Sequence, residues 1–147
     1  MPCEPPIGLT LTGERTLPGL VGENYWFRRH LACYQWLARQ LGEARPPEGP
    51  VLDAGSGEGY GASLLQTQLA RPVVAVELDG HSVTHCHSRY PQVDSVLANV
   101  VALPFATASF AATVSLQVIE HIWDPVTYVC ELARCTSGPI ALSTPNR

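Results

Sequence analysis

The amino-acid sequence predicts an α/β fold in which a doubly wound, mostly parallel sheet of five strands carries helices on both faces. Two observations support this prediction. From residue 51 onward, short apolar runs typical of buried strands alternate with segments of helical periodicity. The first apolar run leads directly into a loop with glycine at positions 55, 57, 59 and 61. A glycine-rich loop between a strand and a helix is typical of nucleotide-binding sheets.

The N-terminal part of the chain differs in character. Residues 1–22 are rich in Pro, Gly and Thr and predict an arm without regular structure. Aromatic and apolar residues then recur every three to four positions, which predicts a helix from Glu23 to Leu41 that ends near Gly42. Prolines in the segment 45–50 prevent the helix from continuing. We therefore divide the chain into residues 1–49, an arm and helix expected to act as a lid, and residues 50–147, a ligand-binding core.

Strands and helices alternate through the core. The predicted strands are Val51–Ala54, Val73–Glu77, Val93–Leu97, Ala111–Leu116 and Ile140–Ser143. The predicted helices are Tyr60–Leu69, Gly80–Arg89 and Asp124–Cys135. In the last helix, the residues whose spacing predicts an apolar stripe facing the core are Val126, Val129, Cys130 and Ala133.

Composition argues against several classes of protein. Hydrophobic residues make up 46% of the chain and charged residues 15%, which suits a packed core. The net charge is −4 and the nine basic residues, all arginine, are scattered, so we expect no nucleic-acid partner. No apolar run reaches the roughly 20 residues that span a bilayer. The first residues lack the features of a signal peptide, and the cysteines form no Cys-x-x-Cys pair, so we expect no membrane association and a cytoplasmic location.

Charges around the glycine loop indicate which ligand it binds. Asp53 precedes Gly55, and Glu58 lies inside the loop. These carboxylates would repel a pyrophosphate and favour a ligand that carries positive charge. The dinucleotide fingerprint also needs glycine at position 60, where this chain has Tyr60 and places Gly59 one residue early. S-adenosylmethionine carries an ammonium and a sulfonium but no phosphate, and Asp53 is expected to face its ammonium directly or through water.

A second carboxylate ends the next strand. Glu77 follows the loop at about the distance at which a carboxylate accepts hydrogen bonds from both ribose hydroxyls. Asp79 competes for this role, and a solvated helix cap is the alternative for either residue. Glu77 is favoured because it is the first polar residue after the apolar strand.

Four segments resemble, in order and spacing, the class I S-adenosylmethionine-dependent methyltransferases of the type 11 group, whose fold is Rossmann-like. They are residues 51–59, 75–79, 98–105 and 118–125, within a resemblance that covers about residues 50–145. The resemblance implies donor-binding residues in the loop, at the ribose, near the adenine and beside the sulfonium. In that order, they are Gly55, Gly57, Gly59 and Tyr60; Glu77 and Leu78; Asn99 and Val100; and Leu116 and Gln117.

The N-terminal segments 12–16 and 23–30 resemble actinobacterial sugar O-methyltransferases associated with methylated glucose or mannose polysaccharides. This resemblance implies a sugar or oligosaccharide acceptor and a part in polysaccharide biosynthesis. It places the first helix across the cofactor, with Tyr25 close by and Arg28 or Arg29 on the methionyl carboxylate. Alternatively, the two arginines are simply exposed, and Tyr25, Trp26 and Phe27 serve packing.

Members of this family normally continue past the fifth strand with a helix and two closing strands, so the last strands of the usual seven-stranded sheet are missing here. Ile140–Ser143 would then form an unpaired hydrophobic edge. Either the chain is a fragment or a second copy covers that edge in a homodimer.

His121 is the candidate general base, because it follows the fourth strand and imidazole titrates near neutrality. Glu120 would orient it or act beside it. The run Gln117-Val-Ile-Glu-His121 also resembles a Glu-x-x-Glu-His pattern that holds a divalent cation, so Mg²⁺ bound by Glu120 and His121 is an alternative, with Gln117 a weaker ligand than the usual carboxylate. A third interpretation is that His121 satisfies backbone groups at a helix start.

The sequence thus predicts an S-adenosylmethionine-dependent O-methyltransferase that acts on a sugar hydroxyl, with His121 as the base. A non-catalytic protein that binds the donor and works through association is the alternative. A nicotinamide oxidoreductase is disfavoured by the position of Gly59 and by the two loop carboxylates.

Overall fold

A computed structural model describes Pro18 and residues 24–145 of the chain. The predicted irregular arm, apart from Pro18, and the segment 12–16 therefore lie outside the described residues. In chain order the elements are α1 (Asn24–Ala44), β1 (Val51–Ala54), α2 (Tyr60–Leu69), β2 (Val73–Glu77), α3 (Gly80–Arg89), β3 (Asp94–Leu97), β4 (Ala112–Leu116), a short 3-10 helix (Ile119–His121), α4 (Pro125–Cys135) and β5 (Ile140–Ser143).

The described strands form one parallel sheet in the order β3-β2-β1-β4-β5. The central strand β1 places Asp53 beside Ala75 of β2 on one side and Val114 of β4 on the other. The chain adds strands outward from β1 to β3 and then returns to add β4 and β5 on the opposite side. In open α/β sheets such a switch point opens a crevice at the carboxyl ends of the strands, where ligands bind.

Helices cover both faces of this sheet, which confirms the doubly wound Rossmann-like fold. On one face α1, α2 and α3 pack against the strands, and their buried side chains include Tyr34, Leu37, Leu41, Leu65 and Cys86. On the other face α4 packs against the sheet, and the buried side chains there include Leu52, Val76, Tyr128, Leu132 and Cys135. The helix α1 thus belongs to the same core as β1.

The end of α1 differs from the prediction. The helix continues to Ala44 rather than ending near Gly42. An added Cβ at Gly42 would meet nothing within 4 Å, so the glycine occupies an ordinary helical position. The helix stops where Arg45 adopts a left-handed φ of 48° and Pro46 follows, because proline disfavours helical backbone at the residue before it.

The core-facing stripe predicted for α4 is wrong. The predicted residues are exposed; they are Val126, Val129, Cys130 and Ala133. The helix buries Tyr128, Leu132 and Cys135 instead. Both stripes have helical spacing, and the buried one also makes a polar contact with the sheet. The hydroxyl of Tyr128 donates to Ser115 Oγ of β4 at 2.5 Å, which fixes the rotation of the helix about its axis.

Three other predicted boundaries, the starts of β3, β4 and α4, move by one residue, and one helix was not predicted. The strands β3 and β4 begin at Asp94 and Ala112. The 3-10 helix after β4 follows a left-handed residue, Gln117, with φ 56°. Asp124 acts as the N-cap of α4 by accepting from the Thr127 N–H at 3.0 Å. Within the part of the chain that the structure describes, no helix combines the length and apolar character needed to cross a bilayer.

Candidate functional site

A cavity of about 360 Å³ opens at the carboxyl ends of β1, β2 and β4, at the switch point of the sheet. Its walls come from α1, the glycine loop and the segments that follow β2, β3 and β4. The predicted residues that line it are Gly55, Gly57, Tyr60, Glu77, Leu78, Asn99, Val100, Leu116, Gln117 and His121. The predicted residues that do not line it are Tyr25, Arg28, Asp53, Gly59 and Glu120. The sequence motifs therefore converge on one site.

Two loop glycines have different tasks. An added Cβ at Gly57, where φ is 55°, would meet nothing within 4 Å, so the loop leaves open space at the cavity wall there. At Gly59, where φ is 90°, an added Cβ would lie 2.2 Å from Cys86 Sγ of α3. Gly59 thus lets the loop pack on α3, whereas Gly57 exposes backbone to a ligand.

Glu77 is held rigidly at the cavity wall. Its Oε2 accepts the Gly57 N–H at 2.9 Å, and its Oε1 accepts the N–H groups of Leu78 at 2.7 Å and Asp79 at 3.0 Å. A carboxylate offers about four lone-pair sites and three are occupied by these N–H groups, so about one remains for a ligand hydroxyl. The geometry suits the predicted ribose contact.

Asp79 is a helix cap, which is the alternative role that the sequence left open. Its carboxylate accepts from the backbone N–H groups of His81 at 3.3 Å and Ser82 at 3.2 Å and caps α3. Unlike Glu77, it does not line the cavity. The structure therefore supports Glu77 over Asp79 as the ribose candidate.

Asp53 lies beneath the cavity rather than in its wall. It is fully buried, and the Tyr34 hydroxyl donates to its two oxygens at 3.2 and 3.3 Å. Burial raises the pKa of Asp53 to about 7, the Tyr34 hydrogen bond opposes that rise, and the nearby charge of Glu77 adds to it. Contact between Asp53 and a donor ammonium, directly or through water, stays a prediction, because Asp53 does not line the cavity.

Sequence reasoning missed His30 and Tyr34, which line the cavity from α1. They lie four positions apart on α1, which places their side chains on the same face of the helix. That spacing was the signal available in the sequence. Burial lowers the pKa of His30, as does the charge of Arg29, while Glu120 opposes both. His30 is therefore a second imidazole, beside His121, in the wall of the same cavity.

The other predicted residues of α1 lie away from the cavity lining. Tyr25 and Arg28 are exposed. The Arg29 guanidinium lies 5.7 Å from the ring centroid of Tyr25 and 5.3 Å from that of Trp26. This end of α1 thus forms an exposed aromatic and cationic surface.

The catalytic candidates follow β4. His121 ends the 3-10 helix and lines the cavity, while Glu120 is exposed and outside the lining. Across residues 24–145, no group of three or more His, Cys, Asp or Glu side chains is arranged to hold a metal ion. The magnesium interpretation of Glu120 and His121 therefore gains no support from the described residues.

Gln117 shapes the turn between β4 and the catalytic candidates. It adopts the left-handed conformation, its backbone N–H donates to the Ser143 carbonyl at 2.8 Å, and its Nε2 donates to Ser143 Oγ at 3.1 Å. These bonds compensate a conformation that a non-glycine residue adopts at a cost of about 1 kcal/mol. The turn directs the segment 118–122 along the cavity.

Comparison with known proteins identifies the family. The model of a family described as "Methyltransferase domain" matches residues 52–138, more than half of the chain. The chain belongs to this family. Its match includes the glycine loop, Glu77 and His121.

Two mycobacterial proteins are similar over nearly the whole chain. A protein of Mycobacterium tuberculosis H37Rv, named a probable S-adenosylmethionine-dependent methyltransferase, is 51% identical over 144 residues, which are 97% of this chain and 50% of the relative. A protein of Mycolicibacterium smegmatis with the same description is 46% identical over 97% of this chain and 54% of its own length. The chain spans about half the length of these curated relatives.

Among solved structures, geranyl diphosphate C-methyltransferase of Streptomyces coelicolor matches 80% of this chain and 46% of its own with a TM-score of 0.71. Sequence identity is 20%, so this likeness shows the shared fold alone.

The residues present fit S-adenosylmethionine, the donor that the names of the relatives mention. The cavity volume lies within the range of about 300–1,000 Å³ usual for small-molecule sites. Its polar wall includes the carboxylates of Glu58 and Glu77, which suit a cationic ligand with ribose hydroxyls. The open space at Gly57 allows a ligand to approach the backbone.

Proposed function

We propose that this chain is an S-adenosylmethionine-dependent O-methyltransferase that transfers a methyl group to a hydroxyl of a sugar or oligosaccharide. The observation that carries the proposal is the cavity at the switch point of a methyltransferase-domain fold, with Glu77 fixed in its wall and His121 at its rim. The donor is better supported than the acceptor, because more of the residues that suit it are in place.

The chain's own residues would bind the donor as follows. Glu77 accepts from the ribose with its remaining acceptor site, and the three backbone N–H groups that it binds hold the carboxylate in place. Asn99 and Val100, after β3, border the base, and Gln117 borders the sulfur. When bound, S-adenosylmethionine supplies a methyl carbon made electrophilic by its sulfonium, so the protein contributes position rather than a new electrophile.

His121 would accept the proton of the acceptor hydroxyl. In the transfer, a C–O bond forms to the acceptor as the C–S bond breaks, and the hydroxyl proton passes to the imidazole. His121 lies on the segment that the Gln117 turn directs along the cavity, on the side of β4. Glu120, next to it in the 3-10 helix, would orient or assist the imidazole.

A sugar acceptor is consistent with exposed aromatic rings near the site. Tyr25 and Trp26 on α1 are 65% and 50% exposed, and Trp123, two residues after His121, is fully exposed. Indole and phenol rings offer flat apolar faces with a polar edge, which suits stacking on a sugar ring. They lie on elements that also contribute cavity residues, α1 through His30 and the segment after β4 through His121.

The test is methyl transfer by the purified chain to a panel of sugars, oligosaccharides and non-sugar hydroxyl compounds. His121→Ala should abolish most of the transfer while leaving S-adenosylhomocysteine binding intact, because the imidazole serves the acceptor. His87→Ala, an exposed histidine of α3, is the matched control and should leave both unchanged. Full transfer by His121→Ala would remove the base role, and donor binding without transfer to any acceptor would favour the non-catalytic alternative.

The metal alternative needs its own assay. If Glu120 and His121 hold Mg²⁺ rather than move a proton, a chelator should stop turnover and added magnesium should restore it. A base mechanism at His121 predicts unchanged turnover in the chelator. The two outcomes therefore separate the two interpretations of the same residues.

A further inference from the structure

A buried hydrogen bond joins α1 to the central strand beneath the cavity. The hydroxyl of Tyr34 on α1 lies 3.2 Å from Oδ2 and 3.3 Å from Oδ1 of Asp53 on β1. Asp53 is 0% exposed and Tyr34 is 4% exposed. Tyr34 also lines the cavity, so the same side chain contacts both the buried carboxylate and the ligand site.

Packing fixes the direction of the Tyr34 hydroxyl. Gly61 lies against the phenol, and an added Cβ there would be 2.1 Å from Tyr34 Cζ. The ring of Tyr60 packs edge-on at a centroid distance of 6.0 Å. Because the ring has no room to turn, its hydroxyl stays on Asp53.

Several titratable groups, most of them on other elements, act on the pair. Those that shift the pKa of Asp53 or Tyr34, or whose own pKa responds to Asp53, are Cys33 of α1, Tyr60 of α2, Glu77 of β2, Cys86 of α3 and Tyr128 of α4. Burial and Glu77 raise the pKa of Asp53, and the Tyr34 hydrogen bond lowers it. The Tyr34 hydroxyl therefore favours the charged form of Asp53, whereas burial and the charge of Glu77 disfavour it.

We propose that Tyr34 is a positioning residue for donor binding, whose hydroxyl orients the Asp53 carboxylate beneath the cavity that receives the cationic donor and fastens α1 to the strand that leads into the glycine loop. A buried negative charge attracts a cation strongly because little water screens it. The proposal rests on the proposed function only in taking S-adenosylmethionine and its product as the ligands.

The test compares Tyr34→Phe with the chain itself by titration calorimetry with S-adenosylhomocysteine. The phenylalanine keeps the ring against Gly61 and removes only the hydroxyl. At pH 7 the dissociation constant should rise by up to about tenfold, because the loss of one hydrogen bond to the carboxylate lowers the ionised fraction of Asp53 by up to about that factor. At pH 9 the deficit should shrink, because Asp53 ionises without help there. Trp36→Phe, on an exposed face of α1, should bind as the chain itself does.

A second readout needs no ligand. As the pH rises, the free energy of unfolding falls until Asp53 is fully ionised in the folded state. The pH at which this fall ends should be higher in Tyr34→Phe than in the unchanged chain. In Asp53→Asn this pH dependence should disappear, which provides a variant for use if Tyr34→Phe folds poorly. If S-adenosylhomocysteine fails to bind the unchanged chain, the proposed function fails, and the ligand-free readout still decides whether Tyr34 controls Asp53.

Three results would overturn the inference. Equal binding by Tyr34→Phe at pH 7 would show that the hydroxyl does not act on the donor. A tenfold deficit that persists unchanged at pH 9 would show a structural defect rather than a lost ionisation. An equal loss in Trp36→Phe would show that any change on α1 weakens binding.

Discussion

Replacing Asp53 by asparagine should stabilise the protein at neutral and alkaline pH while weakening donor binding. The carboxylate is fully buried, and its pKa is raised from 3.8 to about 7, chiefly by burial. Because the folded state holds the proton more tightly than the unfolded state, unfolding free energy falls as pH rises from about 4 to about 7 and then levels off. The side-chain amide introduced by Asp53→Asn would still accept from the Tyr34 hydroxyl but carries no charge to bury.

The raised pKa sets the size of the effect. One pKa unit corresponds to about 1.4 kcal/mol, so ionising buried Asp53 costs about 4 kcal/mol above pH 7. Asp53→Asn should recover about 2–4 kcal/mol of unfolding free energy at pH 8 and almost none at pH 4. In a protein of this size that corresponds to a rise in melting temperature of roughly 5–15 °C at pH 8.

Urea unfolding followed by circular dichroism at pH 4, 6 and 8 measures this effect. Asp94→Asn is the matched control, because Asp94 is exposed at the start of β3 and its replacement should leave the pH dependence unchanged. Calorimetry with S-adenosylhomocysteine should show weaker binding by Asp53→Asn at pH 8. A variant less stable than the original chain at pH 8, or equal stabilisation at pH 4 and pH 8, would refute the reasoning.

Three further outcomes follow from contacts in the structure. Gly59→Ala should lose about 2–4 kcal/mol of stability in thermal unfolding, because its Cβ would lie 2.2 Å from Cys86 Sγ at a left-handed backbone position. Glu77→Gln should raise the dissociation constant for S-adenosylhomocysteine roughly 10- to 100-fold in calorimetry, since the charged acceptor of the ribose is lost. Arg134→Ala should lower the stability more at pH 7 than at pH 2, because Arg134 holds the pKa of Glu131 at about 2 and a protonated carboxyl no longer pairs with it, whereas the bonds from Arg134 to the Phe105 and Leu103 carbonyls are lost at either pH.

Matched variants test each of these outcomes. An added Cβ at Gly80 meets no atom within 4 Å, so Gly80→Ala should stay within about 0.5 kcal/mol of the original stability. A loss equal to that of Gly59→Ala would contradict the packing explanation. Glu48→Gln removes an exposed carboxylate and should bind the donor product normally. For Arg134→Ala, an unchanged deficit across pH 2–7 would show that the ion pair is not its cause.

Most of the fold follows from local patterns in the sequence. The bounds of β1, α2, β2, α3 and β5 agree with the prediction, because glycine, proline and capping residues mark their ends. The rotation of α4 could not be predicted, since two stripes on that helix have equal periodicity. The buried stripe is defined by contacts with other elements, such as the bond from Tyr128 to Ser115 and the packing of Leu132 in the core.

The candidate site also contains some residues that sequence patterns predict and others that they do not. Gly57, Glu77 and Asn99 stand in short motifs at the ends of strands, and all three line the cavity as those motifs predict. Tyr34 reaches the site through a helix that precedes the motifs, and its contact with Asp53 joins residues 19 positions apart. Such a contact depends on how α1 packs on α2, which the sequence of either helix alone does not specify.

The position of the cavity at the switch point links donor supply to the lifetime of the folded chain. One wall of the cavity is formed by the segments after β1 and β2, and the other by the segment after β4. The two parts of the sheet are joined by contacts such as the bond from the Ser115 hydroxyl to the Ala54 carbonyl, 61 residues apart in the chain. A ligand that touches both walls binds only when this long-range pairing is complete. At 100 times its dissociation constant it would add about 2.7 kcal/mol to the free energy of unfolding. Cells rich in the methyl donor would then degrade the chain more slowly than cells depleted of it.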